Sequence, residues 1–143
     1  MKWVINLIFK STSTTRSLMI LFGRLSFGIA LLSHGLTKVQ AFDTLKDSFP
    51  DPIGWGSAIS VSLVIFAEMF CSFAVILGFL QRLAIIPIII SMCIAFFITY
   101  NGCFVEGELA LTYLFAFTML LIGGPGRFSI DHWLYTRILS RIP

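Results

Sequence analysis

Residues 57–80, "SAISVSLVIFAEMFCSFAVILGFL", run for almost seven helical turns with one charged side chain, Glu68. Two further segments, 17–36 and 82–100, are comparably apolar, and a fourth, 108–124, has the same character once Glu108 is placed at its end. About 20 mostly apolar residues carry a helix across a bilayer. Open strands leave backbone groups unpaired in lipid, so spans of this kind are helical. The composition agrees. Charged residues make up 12% of the chain, against about 25% in soluble domains. The expected fold is all-α: a polytopic membrane protein in which four spans form an antiparallel transmembrane bundle, with a single domain over 1–143.

Lys2, Lys10, Arg16, Arg82, Arg127, Arg137 and Arg141 fall on one side of such a bundle, and Lys38 and Lys46 on the other. Cytoplasmic loops collect Lys and Arg, which places both termini in the cytoplasm. Asp43, Asp47, Asp51, Glu106 and Glu108 then face outward. The net charge of +3 is a topology signal, and no basic surface is suited to nucleic acid. The start of the chain lacks a small-residue cleavage site behind its short apolar part. Trp3, Val4, Leu7 and Ile8 share a helix face, so a short interfacial N-terminal helix is expected, with "STSTTRS" letting the chain turn into the first span.

Small residues in the first two spans (Gly23, Gly28, Ala30; Gly56, Ser60, Ala67, Cys71) suit close helix packing in lipid. The loop 36–56 has room for a short helix or hairpin, and "FPDPIGWG" is turn chemistry. Cys71, Cys93 and Cys103 contain no C-x-x-C pair, which argues against a dithiol oxidoreductase. Metal-ligand spacing is absent: the two histidines, His34 and His132, lie at opposite ends. No glycine loop follows a soluble strand in the manner of a phosphate site.

Intramembrane charge carries the functional signal. A carboxylate or guanidinium at mid-membrane costs about 2.5–3.5 kcal/mol on insertion scales. Glu68 lies near the centre of the second span and Arg24 about one turn from the centre of the first, so mutual neutralisation is expected. Such a pair would either set helix register or form a pocket where Glu68 handles a proton or a polar ligand group. At the outer end, His34 and Lys38 share a helix face, and Glu106, Glu108 and Tyr113 gather at the mouth of the fourth span. At the other end Arg127 and Asp131 are four apart and Arg82 is at the same depth. Candidate catalytic residues are Glu68 and His34. The wider polar set is Arg24, Lys38, Arg82, Glu106, Glu108, Tyr113, Arg127 and Asp131, in a ligand-binding or a structural role.

These features occur in a recognisable order: Arg24, "HG" at 34–35, Lys38, "AE" at 67–68, "GFLQR" at 78–82, "EGELALTY" at 106–113 and "GGPGRFSID" at 123–131. In this the chain resembles the DoxX family of small four-helix membrane proteins, related to DoxD-like subunits. The resemblance implies a bacterial inner-membrane protein. It further implies membrane subunits of oxidoreductase complexes that use the quinone pool, and supplies no agreed catalytic assignment. The chain has no intrinsic cofactor motif. A quinone headgroup bound between helices, with electrons from an oxidoreductase partner subunit, is the first expectation. A non-catalytic scaffold or assembly protein is the second. A small transporter or lipid-handling protein is the third, and would need a homo-oligomer to build its path.

Overall fold

A computed structural model describes residues 13–139; the expected interfacial helix around Trp3 lies outside them. The described residues are helical, with no strand among them. Helix α1 spans Ser13–Gln40, α2 Phe42–Ser48, α3 Ser57–Leu77, α4 Gln81–Thr99, α5 Glu108–Gly123 and α6 Ile130–Leu139. The chain is already helical at Ser13, so the second half of "STSTTRS" continues α1 instead of turning. Of the short helix or hairpin for which the loop 36–56 has room, the structure has the helix, α2.

Helices α1, α3 and α4 are long and apolar enough to cross a membrane. Helix α5 has 16 residues, about 24 Å at 1.5 Å per residue, and is short of a typical hydrocarbon core of about 30 Å. Its surface is nonetheless apolar on both faces. Phe117 and Leu120 are buried against α4, whereas Met119 and Ile122 are exposed. Large exposed apolar side chains recur around the molecule, Phe22, Phe70 and Leu83 among them. That is the pattern of a protein whose outer solvent is hydrocarbon.

Where lipid surrounds helices, association rests on packing and polar contacts and not on hydrophobic expulsion. The α1–α3 contact shows how. The buried residues of α1 are Ser17, Arg24, Gly28, Leu31 and Gly35, spaced by three, four or seven so that they share one face. A methyl group added at Gly28 would sit 2.6 Å from Ile76 Cγ1, and one at Gly35 would sit 2.9 Å from the Met69 backbone nitrogen. These two glycines therefore set how closely α1 and α3 approach, and in which register. On α3, Ser60, Ala67 and Cys71 are buried as the small-residue pattern requires.

Helix α3 is interrupted by a π-helical stretch, Phe66–Cys71, and α4 by another, Ile94–Thr99. Extra residues in such turns rotate the side chains that follow, and π-bulges concentrate at functional sites. Glu68 lies within the first.

Candidate functional site

A cavity of about 680 Å³ opens between α1, α3, α4 and α5, with α2 and the following loop over it. Most of its wall is apolar, and its polar groups converge from different helices. Leu31, His34 and Lys38 reach it from one face of α1; Glu68 comes from the π-helical turn of α3, Ser91 from α4 and Tyr113 from α5. Pockets of this size, mostly apolar with a few polar groups, are typical of small-molecule sites.

The central feature is an ion pair. Lys38 Nζ lies 2.5 Å from Glu68 Oε2, with the glutamate side chain 7% exposed and the lysine 24%. Two desolvated charges persist here because each compensates the other; removal of one partner leaves an unpaired buried charge. His34 meets Tyr113 edge-on, with ring centroids 6.0 Å apart. The buried Tyr113 stands within electrostatic range of Glu68. The His34 imidazole and the Tyr113 hydroxyl both line the cavity, and neither has a hydrogen-bond partner among the described residues.

The expected Arg24–Glu68 pair does not form. Arg24 is 1% exposed, and its guanidinium is spent on backbone carbonyls. Nε donates to Val75 O at 2.9 Å, Nη2 to Ile76 O at 2.8 Å, and Nη1 to Pro125 O at 3.0 Å and Phe128 O at 2.9 Å. The last carbonyls of a helix have no intrahelical partner and carry partial negative charge. Arg24 answers both needs at the end of α3 and clasps the segment after α5 to it. Asp131, and not Glu68, is the carboxylate that acts on its charge through space. Fourteen residues of α1, about 21 Å, separate Arg24 from Lys38. One site built around Arg24 and Glu68 is thus two separate features.

A family model described as DoxX matches residues 19–101. The chain belongs to the DoxX family. An uncharacterised membrane protein of Mycobacterium tuberculosis is 33% identical over 130 residues, covering 80% of each chain. No solved structure matches.

The DoxX match takes in Arg24, Lys38 and Glu68 and stops ahead of the segments 106–113 and 123–131. Of the acids in the first of these, Glu106 reaches the cavity rim; Glu108 lies at the first turn of α5, outside the lining. The expected grouping of both with His34 and Lys38 therefore holds only for Glu106. At the opposite end the expected Arg127–Asp131 pair is absent. Asp131 Oδ1 accepts from Leu80 N at 2.7 Å and Oδ2 from Gln81 N at 2.9 Å, capping the start of α4. Gly78, with φ 66°, closes the turn between α3 and α4 where a side chain would strike Arg24 and Ser129. Arg82 and Arg127 stay exposed at this end.

Two residues of the DoxX chain escaped the sequence reading. Gln81 is fully buried and donates from Nε2 to Leu120 O and Gly124 O, at 3.3 and 3.0 Å. Ser91 lines the cavity from α4. An amide directly beside Arg82 looks like part of a polar loop, and only the packing of α5 shows it to be interior. No cluster of three or more His, Cys, Asp or Glu side chains that could hold a metal ion occurs among the described residues.

Proposed function

We propose that this DoxX protein is a small multi-pass subunit of a quinone-linked oxidoreductase complex, and that its cavity holds the quinone headgroup. In this reading α5 crosses with the other three as the fourth member of an antiparallel bundle, bordered by lipid at both ends of its short span. Both termini face the cytoplasm of a bacterial inner membrane, and the cavity opens toward the outer half.

The observation that carries the reading is the Lys38–Glu68 pair facing an otherwise apolar cavity. A flat ring bearing two carbonyl oxygens and an apolar tail suits such a lining. The Lys38 ammonium can donate to a ring oxygen. In this reading Glu68 and His34 pass protons. Reduction of a quinone to a quinol takes up two electrons and two protons. In this reading a partner subunit supplies the electrons.

Native mass spectrometry of the protein, released gently from its own membrane, tests this. A bound mass equal to a quinone, lost in Glu68→Gln, supports the reading. A protein that stays bare, or carries the same quinone in the variant, contradicts the role given to Glu68.

A scaffold role is favoured by one specific observation, the Arg24 clasp. Four of the five N–H donors of this fully buried guanidinium are committed to backbone carbonyls, which builds a rigid end to the molecule. Recovery of a protein partner with a ligand-free cavity would favour that role.

A further inference from the structure

A second cleft, about 380 Å³, lies at the end of the molecule opposite the cavity. The first turns of α1, the turn at 123–127 and the start of α6 surround it, contributing Ser13, Arg16, Ser17, Arg127 and His132. Its geometry is held by backbone contacts. Arg127 N donates to Ser17 Oγ at 3.4 Å, tying the turn to α1, and His132 N donates to Ser129 Oγ at 3.1 Å, fixing the start of α6. Arg16 and Arg127 are thereby kept on one cleft although 111 positions apart in sequence.

Charge in this region is unbalanced. Asp131 is the single acid of the chain beyond Glu108, and both its oxygens are committed to the amides of Leu80 and Gln81. Every other carboxylate lies between residues 43 and 108. Arg16, Arg82 and Arg127 have no carboxylate within ion-pair distance among the described residues. Arg82 borders the same turn, with its guanidinium beside Gly124. The cationic cleft thus lacks a counter-anion from the described part of the chain.

Its surroundings indicate the kind of anion. Helix α6 exposes Trp133 and Tyr135, and Phe128 is exposed just ahead of it. Trp and Tyr settle at the membrane–water interface. Next to the cleft, α1 and α5 present Met19 and Ile122 outward, an apolar surface along which acyl chains can lie. Basic pockets between helices at headgroup depth bind phosphate-bearing lipids.

We propose that this cleft binds the phosphate of an anionic phospholipid. The Arg16 and Arg127 guanidiniums contact the phosphate oxygens, His132 and Ser13 border the headgroup, and the acyl chains follow the outer faces of α1 and α5. Guanidinium matches phosphate geometry through paired N–H donors. The inference is independent of any occupant of the cavity.

The test uses the full-length protein in a neutral detergent. Phosphatidylglycerol, phosphatidylcholine and inorganic phosphate are added separately, and retained lipid is read by native mass spectrometry. Phosphatidylglycerol should be retained in preference to phosphatidylcholine and resist an excess of inorganic phosphate. Arg16→Gln and Arg127→Gln should each lower its occupancy about five-fold, whereas Arg127→Lys, which keeps the charge but loses the paired donors, should lower it less. Arg137→Gln removes an equal charge from outside the cleft and should leave retention unchanged; Arg137 instead lies over the Trp133 ring. Equal retention of both lipids, or an equal loss in Arg137→Gln, would overturn the proposal in favour of diffuse charge. Displacement by inorganic phosphate would overturn it in favour of a free-anion site.

Discussion

Lys38 and Glu68 form an ion pair across α1 and α3 at the wall of the main cavity, 2.5 Å apart. The pair exists because Gly35, one turn before Lys38, lets α1 touch the backbone of α3 at Glu68 and Met69. Neither charge has another ionic partner among the described residues.

Removal of one charge should therefore hurt more than removal of both. Glu68→Leu or Lys38→Met alone should cost about 3 kcal/mol, the lower end of the range for a broken buried pair. The double variant should recover part of that loss. Thermal unfolding of the four proteins in one detergent gives the cycle. Additive losses would show that the two charges do not depend on each other.

Arg24→Lys should be strongly destabilising although it keeps the charge. A lysine has one nitrogen and no planar fork, so it cannot reach Val75, Ile76, Pro125 and Phe128 together. Carbonyls left unsatisfied in a buried site cost about 1–3 kcal/mol each. Faster proteolysis between residues 124 and 130, with a lower melting temperature, is the expected result. An unchanged cleavage rate would mean that the clasp does not hold this segment.

Gly35→Ala tests the register directly. The added methyl would meet backbone atoms of α3 at 2.9 and 3.0 Å, and backbone cannot swing aside as a side chain can. Overpacking of this kind costs about 1–3 kcal/mol. The same change should separate Lys38 from Glu68, so adding Glu68→Leu in this background should cost less than it does alone. An undiminished cost would rule out the coupling.

The loop over the cavity should loosen in acid. Asp51 accepts from the backbone N–H groups of Gly54, Trp55 and Gly56 and from Ser60 Oγ. These bonds, the Ser60 hydroxyl foremost, hold its carboxyl below the ordinary 3.8. Since the folded value is depressed, the stabilisation is full above the unfolded pKa and is lost as pH falls through the folded one. Amide exchange at Gly54–Gly56, corrected for intrinsic rates, should accelerate as pH falls from above the ordinary 3.8 through the depressed folded value. Asp51→Ala should show fast exchange throughout that window. Exchange in the native protein that stays flat with pH would contradict the prediction.

Much of this molecule was legible in its residues. Long apolar runs require helices in lipid, and the ends of those runs agree with α1, α3 and α4 to within four residues at each boundary. The residue types of the cavity were legible as well, because His34, Lys38, Glu68 and Tyr113 stand out against an apolar background. Residue spacing along one helix gives depth and face within that helix. It does not give the register against a neighbour. Arg24 and Glu68 each lie near the middle of an apolar run, so depth alone suggested that they pair. Gly28 packs on Ile76 and Gly35 on Glu68 and Met69, and this register sends Lys38 to Glu68 and Arg24 to the end of α3. The π-helical turn at Phe66–Cys71 is likewise invisible in the sequence, because its altered hydrogen bonding has no residue signature. Asp131 was legible as a charge near Arg127, but its role as a cap depends on a turn 50 residues away. Composition and periodicity thus determined that the chain is a helical membrane protein with buried charge. Which charges meet was decided by tertiary packing, through the few positions where the absence of a side chain lets two helices touch.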